Sequence, residues 1–234
     1  MGKNNNSKNI KKMVTLSMFC AMAYTVMFVI RIPVVPAAPF LRFDPKDVII
    51  IIGGFLYGPV SALIISVIVS LIEMFTATDT GLWGCIANIL SSCSLICTAS
   101  IIYKIRKTLG GAIIGLTAGV ILMTIVMAVW NYIAVPLYQA NEFVSTQQLR
   151  EMVKGMLIPV FIPFNLFKGS VNAVFAILLF KPAAIALHKA KLIEPAIIGT
   201  RSMKIKWVFA AAAVLIAAAL LYWLLNYQPA PPPA

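Results

Sequence analysis

Long apolar runs make up most of this chain, and short polar or glycine-proline breaks separate them. Six runs stand out, at 14–30, 48–74, 85–103, 112–134, 158–180 and 207–225. A helix crossing a bilayer needs roughly 20 largely apolar residues, so each run is a candidate span. The second is too long for one crossing, and it holds Gly53-Gly54 and then Gly58-Pro59, a turn signal. It divides into a short helix over 48–57 and a fuller one over 60–75. Seven helical elements are therefore expected.

The breaks carry their own information. Residues 1–12 read as a polar, Asn/Lys-rich tail that ends where the first helix begins. No small-residue cleavage site follows the first apolar run, so it is expected to be retained rather than removed as a secretory signal. Residues 31–47 contain Pro33, Pro36, Pro39 and Pro45. Each proline removes a backbone donor and favours extended geometry, which makes a stiff apolar strap. Its Phe40, Leu41 and Phe43 leave two readings open: a lid over an outward-facing pocket, or a loop lying on the lipid interface. Residues 76–84 are short and rich in hydroxyls and glycine, and 137–157 form a second long outer segment, part helical around 147–154. On the fifth element Gly111, Gly115 and Gly119 recur every four residues, a pattern that lets a neighbouring backbone approach closely. Lys204, Lys206 and Trp207 at one end of the last run, with Tyr222, Trp223 and Tyr227 at the other, are interface anchors of a true span. A Pro-rich tail occupies 228–234.

Composition agrees with lipid as the main solvent. The chain is 61% apolar and 11% charged over 234 residues, too few charges for an ordinary water-facing surface. The formal charge of +12 is explained by topology rather than by nucleic acid, since no polar domain exists to cluster it. With the N-terminus in the cytoplasm, the inside segments hold Lys3, Lys8, Lys11, Lys12, Lys104, Arg106, Lys107, Lys181, Lys189, Lys191, Arg201, Lys204 and Lys206. The outside loops hold Arg31, Arg42, Lys46, Arg150 and Lys154. That asymmetry is a positive-inside bias. Cys20, Cys85, Cys93 and Cys97 all lie in apolar runs without polar partners, so they read as packing residues rather than a disulfide framework or metal ligands.

An ionisable or amide side chain at membrane depth is costly unless partnered, which makes each one a candidate for function. These are Glu73 on the third element, Asn88 on the fourth, Asn131 on the fifth, and Asn165, Lys168 and Asn172 on the sixth. All but Asn172 fall in the outer half. Positions 165, 168 and 172 follow i, i+3, i+7 spacing and share one helical face. Lys168 lies about 15 Å below the outer end if its helix starts near 158. Trp83, Trp130, Tyr132, Phe161 and Phe164 frame the same level. Apolar and aromatic walls with a few orienting polar groups are the composition of a small-molecule pocket; the competing reading is that the amides only bond helix to helix. Catalysis finds little support. His188 sits among Lys181, Lys189 and Lys191 with no carboxylate or thiol beside it, and neither a Ser/His/Asp set nor a metal-ligand cluster is present. A P-loop is also missing from the sequence, so active transport would draw on an external motor or an ion gradient. The chain is expected not to be an enzyme.

At these residues the sequence resembles the substrate-binding S components of energy-coupling factor (ECF) transporters, and among them the riboflavin-specific RibU type. The resemblance rests on Phe-Leu-Arg-Phe-Asp-Pro-Lys-Asp at 40–47, Gly-Gly-Phe-Leu-Tyr-Gly-Pro at 53–59 and Thr-Asp-Thr-Gly at 78–81 with Asn88 following. Trp-Asn-Tyr at 130–132 and Pro-Phe-Asn-Leu-Phe-Lys-Gly at 163–169 complete it. It implies an all-α membrane protein: a six-helix S-component-like bundle over 13–190, here followed by a basic linker at 191–206 and an extra, seventh transmembrane helix at 207–227. It implies a vitamin site near the outer face of the cell membrane, and coupling to a membrane scaffold protein and two ATPase subunits that hydrolyse the ATP. No cofactor is implied; riboflavin is the transported ligand. Carried over by resemblance, Asn131, Asn165 and Lys168 are ligand contacts, with Leu41, Asp44, Thr80 and Gly81 as loop contacts. Ser17 and Ala21 stand at the small-residue positions of the first helix that dock on the scaffold. Lys168 would donate to a flavin ring carbonyl or ribityl oxygen, whereas a carboxylate vitamin such as biotin or pantothenate would use it as counter-ion. Thiamine, a self-sufficient secondary transporter and an intramembrane enzyme or assembly factor are the other readings. A secondary transporter would want intramembrane carboxylates for ion coupling, and Glu73 is the candidate.

Overall fold

The computed structural model describes residues 2–36, 38–77, 80–140, 144–193 and 203–227, with backbone alone for 2–8 and 203–209. The expected Pro-rich tail at 228–234, Thr78 and Asp79 of the Thr-Asp-Thr-Gly stretch, and the middle of the expected linker lie outside these residues. Eight α-helices follow one another among the described residues: α1 (Gly2–Val29), α2 (Lys46–Tyr57), α3 (Pro59–Thr76), α4 (Gly81–Ile105), α5 (Leu109–Gln139), α6 (Thr146–Met156), α7 (Ile162–Lys189) and α8 (Met203–Asn226). A two-stranded antiparallel hairpin, β1 (Ile32–Pro33) with β2 (Arg42–Phe43), lies between α1 and α2 in the register Ile32↔Phe43 and Pro33↔Arg42.

Local chemistry sets the breaks. Gly58 takes φ 89°, a backbone conformation that costs glycine little, and Pro59 then opens α3 at a position where its missing N–H goes unused. Thr108 caps α5 by accepting from Gly111 N–H at 3.1 Å. Ser145 and Gln148 form a reciprocal capping box at the start of α6. Two boundaries differ from the sequence expectation. The helix of α1 continues back through the polar tail to Gly2. The outer segment and the sixth expected helix form one continuous helical stretch, Thr146–Lys189, because a π-helical turn (Leu157–Phe161) carries the chain past Pro159 instead of stopping it.

Among the described residues, five stretches are long and apolar enough to cross a membrane: Asn9–Val29, Pro59–Thr76, Gly81–Ile105, Leu109–Gln139 and Thr146–Lys189. Their outward faces leave Phe75 at 81% and Ile158 at 78% exposure, which only a lipid solvent tolerates on this scale. The chain is a membrane protein. At 1.5 Å per residue the 12-residue α2 is about 18 Å long, short of a bilayer core. It is buried over most of its length, from Lys46 to Phe55, so its first turn starts at depth inside the bundle. Its Ile50 and Ile51 join Phe19, Ile65, Leu95, Leu116, Met123 and Ala176 in the main core. The most extensive contact is α4 against α5. There Gly115 faces Ala99 so closely that an added Cβ would stand 2.8 Å from the Ala99 carbonyl oxygen, the close approach that the four-residue glycine spacing anticipates.

The strap is seated in protein. Val34, Val35, Ala38 and Leu41 are buried in a second apolar cluster with Val160, Phe161, Phe164 and Phe167. Turns at Ala38 N–H to Val35 O (3.0 Å) and Leu41 N–H to Ala38 O (2.9 Å) give the loop internal order. Packing of the strap on protein, with Phe40 and Leu41 lining a cleft, favours the first of the two readings left open by the sequence.

Candidate functional site

Beyond its hairpin the strap turns down into the bundle, and this descent builds the site. Asp44, Lys46 and Asp47 are 4%, 1% and 0% exposed. Unpaired, such charges could not persist there. Each has a partner. Lys168 of α7 donates to Asp44 Oδ2 at 2.8 Å. Lys46 donates to Glu73 Oε2 of α3 at 2.5 Å and stands 3.9 Å from Asp44 Oδ1. Arg31, at the root of the strap, lies 3.6 Å from Glu73 Oε1 and also donates to the Ala77 carbonyl. Asp47 accepts from Ser92 of α4 at 2.5 Å, and Asn172 Nδ2 donates to the Asp44 backbone carbonyl at 3.4 Å. Burial alone would raise the Asp44 carboxyl, but the charges of Lys168 and Lys46 outweigh it and hold it below the usual carboxylate range. Lys46, Lys168 and Arg31 are thus paired with Asp44 and Glu73, whereas Asp47 is held by the Ser92 hydroxyl, and one oxygen each of Asp44 and Asp47 is left without a hydrogen bond.

Above this network lies a cleft. Its polar lining includes Arg31, Arg42, Asp44, Glu73, Thr80, Asn88, Ser91, Asn131, Asn165 and Lys168; its apolar lining includes Phe40, Leu41, Trp83, Met127, Trp130, Tyr138 and Phe164. Trp83 stands between Trp130 and Tyr138, with ring centroids 6.0 and 6.3 Å away, and Phe40 meets Tyr138 edge-on at 6.5 Å. The rings form an aromatic wall, a surface on which a flat aromatic ligand can stack.

The two amides are pre-oriented. Asn131 Nδ2 donates to the Met127 carbonyl and Asn165 Nδ2 to the Phe161 carbonyl, both at 2.7 Å and both one helical turn back. A carbonyl only accepts, so each amide turns its nitrogen to the helix, and its oxygen and its second N–H are left for a ligand. The site thus offers two fixed acceptors, and Lys168 keeps donor capacity beyond the proton it gives Asp44.

Six of the seven sequence-derived contacts, Asn131, Asn165, Lys168, Leu41, Asp44 and Thr80, line this one cleft. Gly81 does not line it; at φ 53° it turns the chain from Thr80 into α4. Two expected framing rings stand elsewhere. Phe161 is fully buried behind Phe40, at 6.2 Å, and Tyr132 lies beneath the Arg150 guanidinium, 5.9 Å from its ring centre. Lys46, expected among the outer-loop charges, is instead a buried member of the network, and Asn172 is tied to the strap from below. The sequence signal for both was three charges within four residues, Asp44, Lys46 and Asp47, directly before an apolar helix too short to span. On the outer face of α1, Ser17 and Ala21 are exposed beside Ile10, Met13, Val14 and Met18. His188 is exposed, with Nδ1 3.3 Å from the Ile193 carbonyl.

Residues 11–180 match the family described as ECF transporter, substrate-specific component. The chain is similar to the riboflavin transporter RibU of Staphylococcus aureus (strain TCH60), 32% identical over 181 residues, covering 76% of this chain and 93% of that protein. It is also similar to the riboflavin transporter FmnP of Bacillus subtilis (strain 168), 27% identical over 175 residues, covering 73% and 90% respectively. A solved structure of the S component of a bacterial ECF transporter aligns with a TM-score of 0.61 at 32% identity, covering 76% of this chain and 98% of that one. The matched residues 11–180 end before α8 begins.

Proposed function

Since this chain belongs to the substrate-specific components of ECF transporters, we propose that it is the riboflavin-binding subunit of an ATP-driven vitamin uptake system. The observation that carries the reading is a cleft with aromatic walls over a floor of buried ion pairs, Lys168 on Asp44 and Lys46 on Glu73. Riboflavin is uncharged, and its flat ring system suits walls built from Trp83, Trp130, Phe164 and Tyr138. Its pyrimidine N–H and ribityl hydroxyls are donors for the fixed oxygens of Asn131 and Asn165, while Lys168 donates to a ring carbonyl or ribityl oxygen. Leu41 and Asp44 from the strap, and Thr80 beside Gly81, complete the contacts. A carboxylate vitamin is disfavoured because Lys168 already has a counter-ion in Asp44. Ion-coupled secondary transport is disfavoured because Glu73 is held by Lys46 and Arg31.

The subunit lies in the cell membrane with its N-terminus in the cytoplasm and the cleft facing out. The positive-inside bias supports this orientation, more strongly now that Lys46 is a buried structural charge rather than an outer-loop one. Residues 13–190 form the substrate-binding unit and 207–227 an additional span. A membrane scaffold and two ATPase subunits supply the energy, docking on the α1 face that holds Ser17 and Ala21. Their small size and the apolar side chains around them suit close helix contact.

An absorbance spectrum of the purified protein tests the ligand assignment. Co-purified flavin, or saturable quenching of added riboflavin with no response to biotin or pantothenate, supports it. A colourless preparation that binds a carboxylate vitamin and leaves riboflavin free would overturn it.

A further inference from the structure

The helix α8 lies beyond the residues shared with the ECF components, yet it touches the binding helix at a specific point. Its buried residues Ala210, Ala213, Ala217 and Leu224 recur at steps of three, four and seven, so they share one face. Ala210 and Ala213 cluster with Val174 and Leu178 of α7. Ala217 and Leu224 cluster with Phe161, Phe164 and Phe167. The two helices therefore run antiparallel, and the far end of α8 reaches the start of α7.

That start is irregular. In α-helical geometry the Pro159 carbonyl would accept from the N–H of residue 163, but residue 163 is proline and has none. The neighbouring N–H of Ile162 is already given to the Leu157 carbonyl in the π-helical turn. Trp223 gives this carbonyl a donor from outside the helix: its indole Nε1 makes a hydrogen bond to Pro159 O at 3.0 Å. Although the Trp223 ring is 55% exposed, its polar atom is committed to this carbonyl. Two residues beyond Pro163 stands Asn165, one turn further Lys168, and Asn165 itself takes its amide geometry from Phe161 O inside the same irregular turn.

We propose that Trp223 is a positioning residue for the cleft: by satisfying Pro159 O it clamps the irregular entry to α7 and fixes the level at which Asn165 and Lys168 face the ligand. This rests on the reading of the cleft as a riboflavin site. It gives α8 a function of its own, bracing the binding helix through the apolar cluster that Ala217 and Leu224 share with Phe161, Phe164 and the strap.

The test is a mutant cycle in the full-length protein, read by riboflavin titration and by amide hydrogen exchange over residues 157–166. Trp223→Phe keeps the ring and removes the N–H. It should weaken riboflavin binding about three- to ten-fold, the range for one lost hydrogen bond, and speed exchange in that segment while leaving α3–α5 unchanged. Pro163→Ala restores an internal donor to Pro159 O, so adding Trp223→Phe to it should cost almost nothing further. Wild-type affinity and exchange in Trp223→Phe, or an equal loss in both backgrounds, would overturn the proposal. Lys168→Ala separates the two readings. If it abolishes binding while Trp223→Phe does nothing, the clamp fails and the site stands; if it leaves binding intact, the site reading fails first.

Discussion

Lys168 and Asp44, 124 positions apart in the chain, hold each other at 2.8 Å in the floor of the cleft. One comes from a membrane helix and the other from a proline-rich strap, so a single ion pair fastens the covering loop to the binding helix. Removing one member of a buried pair costs roughly 3 to 5 kcal/mol, because the other charge is left without a partner. Asp44→Asn is therefore expected to lower the melting temperature clearly in detergent. The double variant Asp44→Asn with Lys168→Met should recover most of that stability and still bind riboflavin poorly. An Asp44→Asn protein that melts like the wild type would mean the pair does not fasten the strap.

The sign of the Asp44 shift fixes a pH prediction. Its carboxyl is held below the ordinary value of about 3.9. A depressed carboxylate contributes stability that is fully present above the unfolded value and is lost only as pH falls through the folded one. Riboflavin affinity should thus stay level between about pH 8 and pH 5 and fall only in stronger acid. A decline centred near pH 6 would point to another titrating group in the cleft.

Asn131 and Asn165 each spend one N–H of the amide on their own helix, so ligand contact through the oxygen is testable by chemistry rather than size. Alanine at either position should cost binding about 1 to 3 kcal/mol, the range for a buried partner left unsatisfied. Aspartate at 131 should do no better, although it keeps an acceptor. It cannot donate to the Met127 carbonyl, so two acceptors would face each other across the present 2.7 Å. If the aspartate variant binds like wild type, the amide is not oriented by its helix.

How far the sequence led is visible in these same residues. Lipid demands apolar runs and internally bonded backbones, so the spans and the Gly58-Pro59 break were legible, as were the glycine spacing on α5 and the shared face of 165, 168 and 172. Pairing across the fold was not. Nothing local to Lys46 names Glu73 as its partner, and counting it as a loop charge hid the buried network. The polar outer segment at 137–157 and the apolar run from 158 read as separate elements, whereas the π-helical turn keeps the chain helical from Thr146 onward. The hairpin, two residues on each strand, is too short for any alternation to show.

The α4–α5 contact gives a prediction free of ligand chemistry. At Gly115 an added Cβ would meet the Ala99 carbonyl oxygen at 2.8 Å, and backbone there cannot step aside as a flexible side chain would. Gly115→Val should destabilise by about 1 to 3 kcal/mol through overpacking. Because Trp83 and Asn131 stand on these two helices, riboflavin affinity should fall with it. Gly155, where an added Cβ meets nothing within 4 Å, is the matched control: Gly155→Ala should leave both stability and binding unchanged.

Binding and transport should separate on α1. Ser17 and Ala21 lie one turn apart on an exposed apolar face, and the Ser17 hydroxyl is turned back to the Met13 carbonyl at 3.1 Å. No residue of this face lines the cleft. A bulky side chain there would hold a partner helix away without touching the ligand. Ala21→Trp is thus expected to leave the riboflavin dissociation constant of the purified subunit unchanged. In cells that also produce the scaffold and ATPase subunits, it should reduce riboflavin uptake at least ten-fold, since each 1.4 kcal/mol lost from docking is a factor of ten in association. Ala21→Gly, which keeps the face shallow, should transport normally. Normal uptake by Ala21→Trp would move the docking surface to another face of the bundle, and loss of binding by the isolated variant would show that α1 supports the cleft instead.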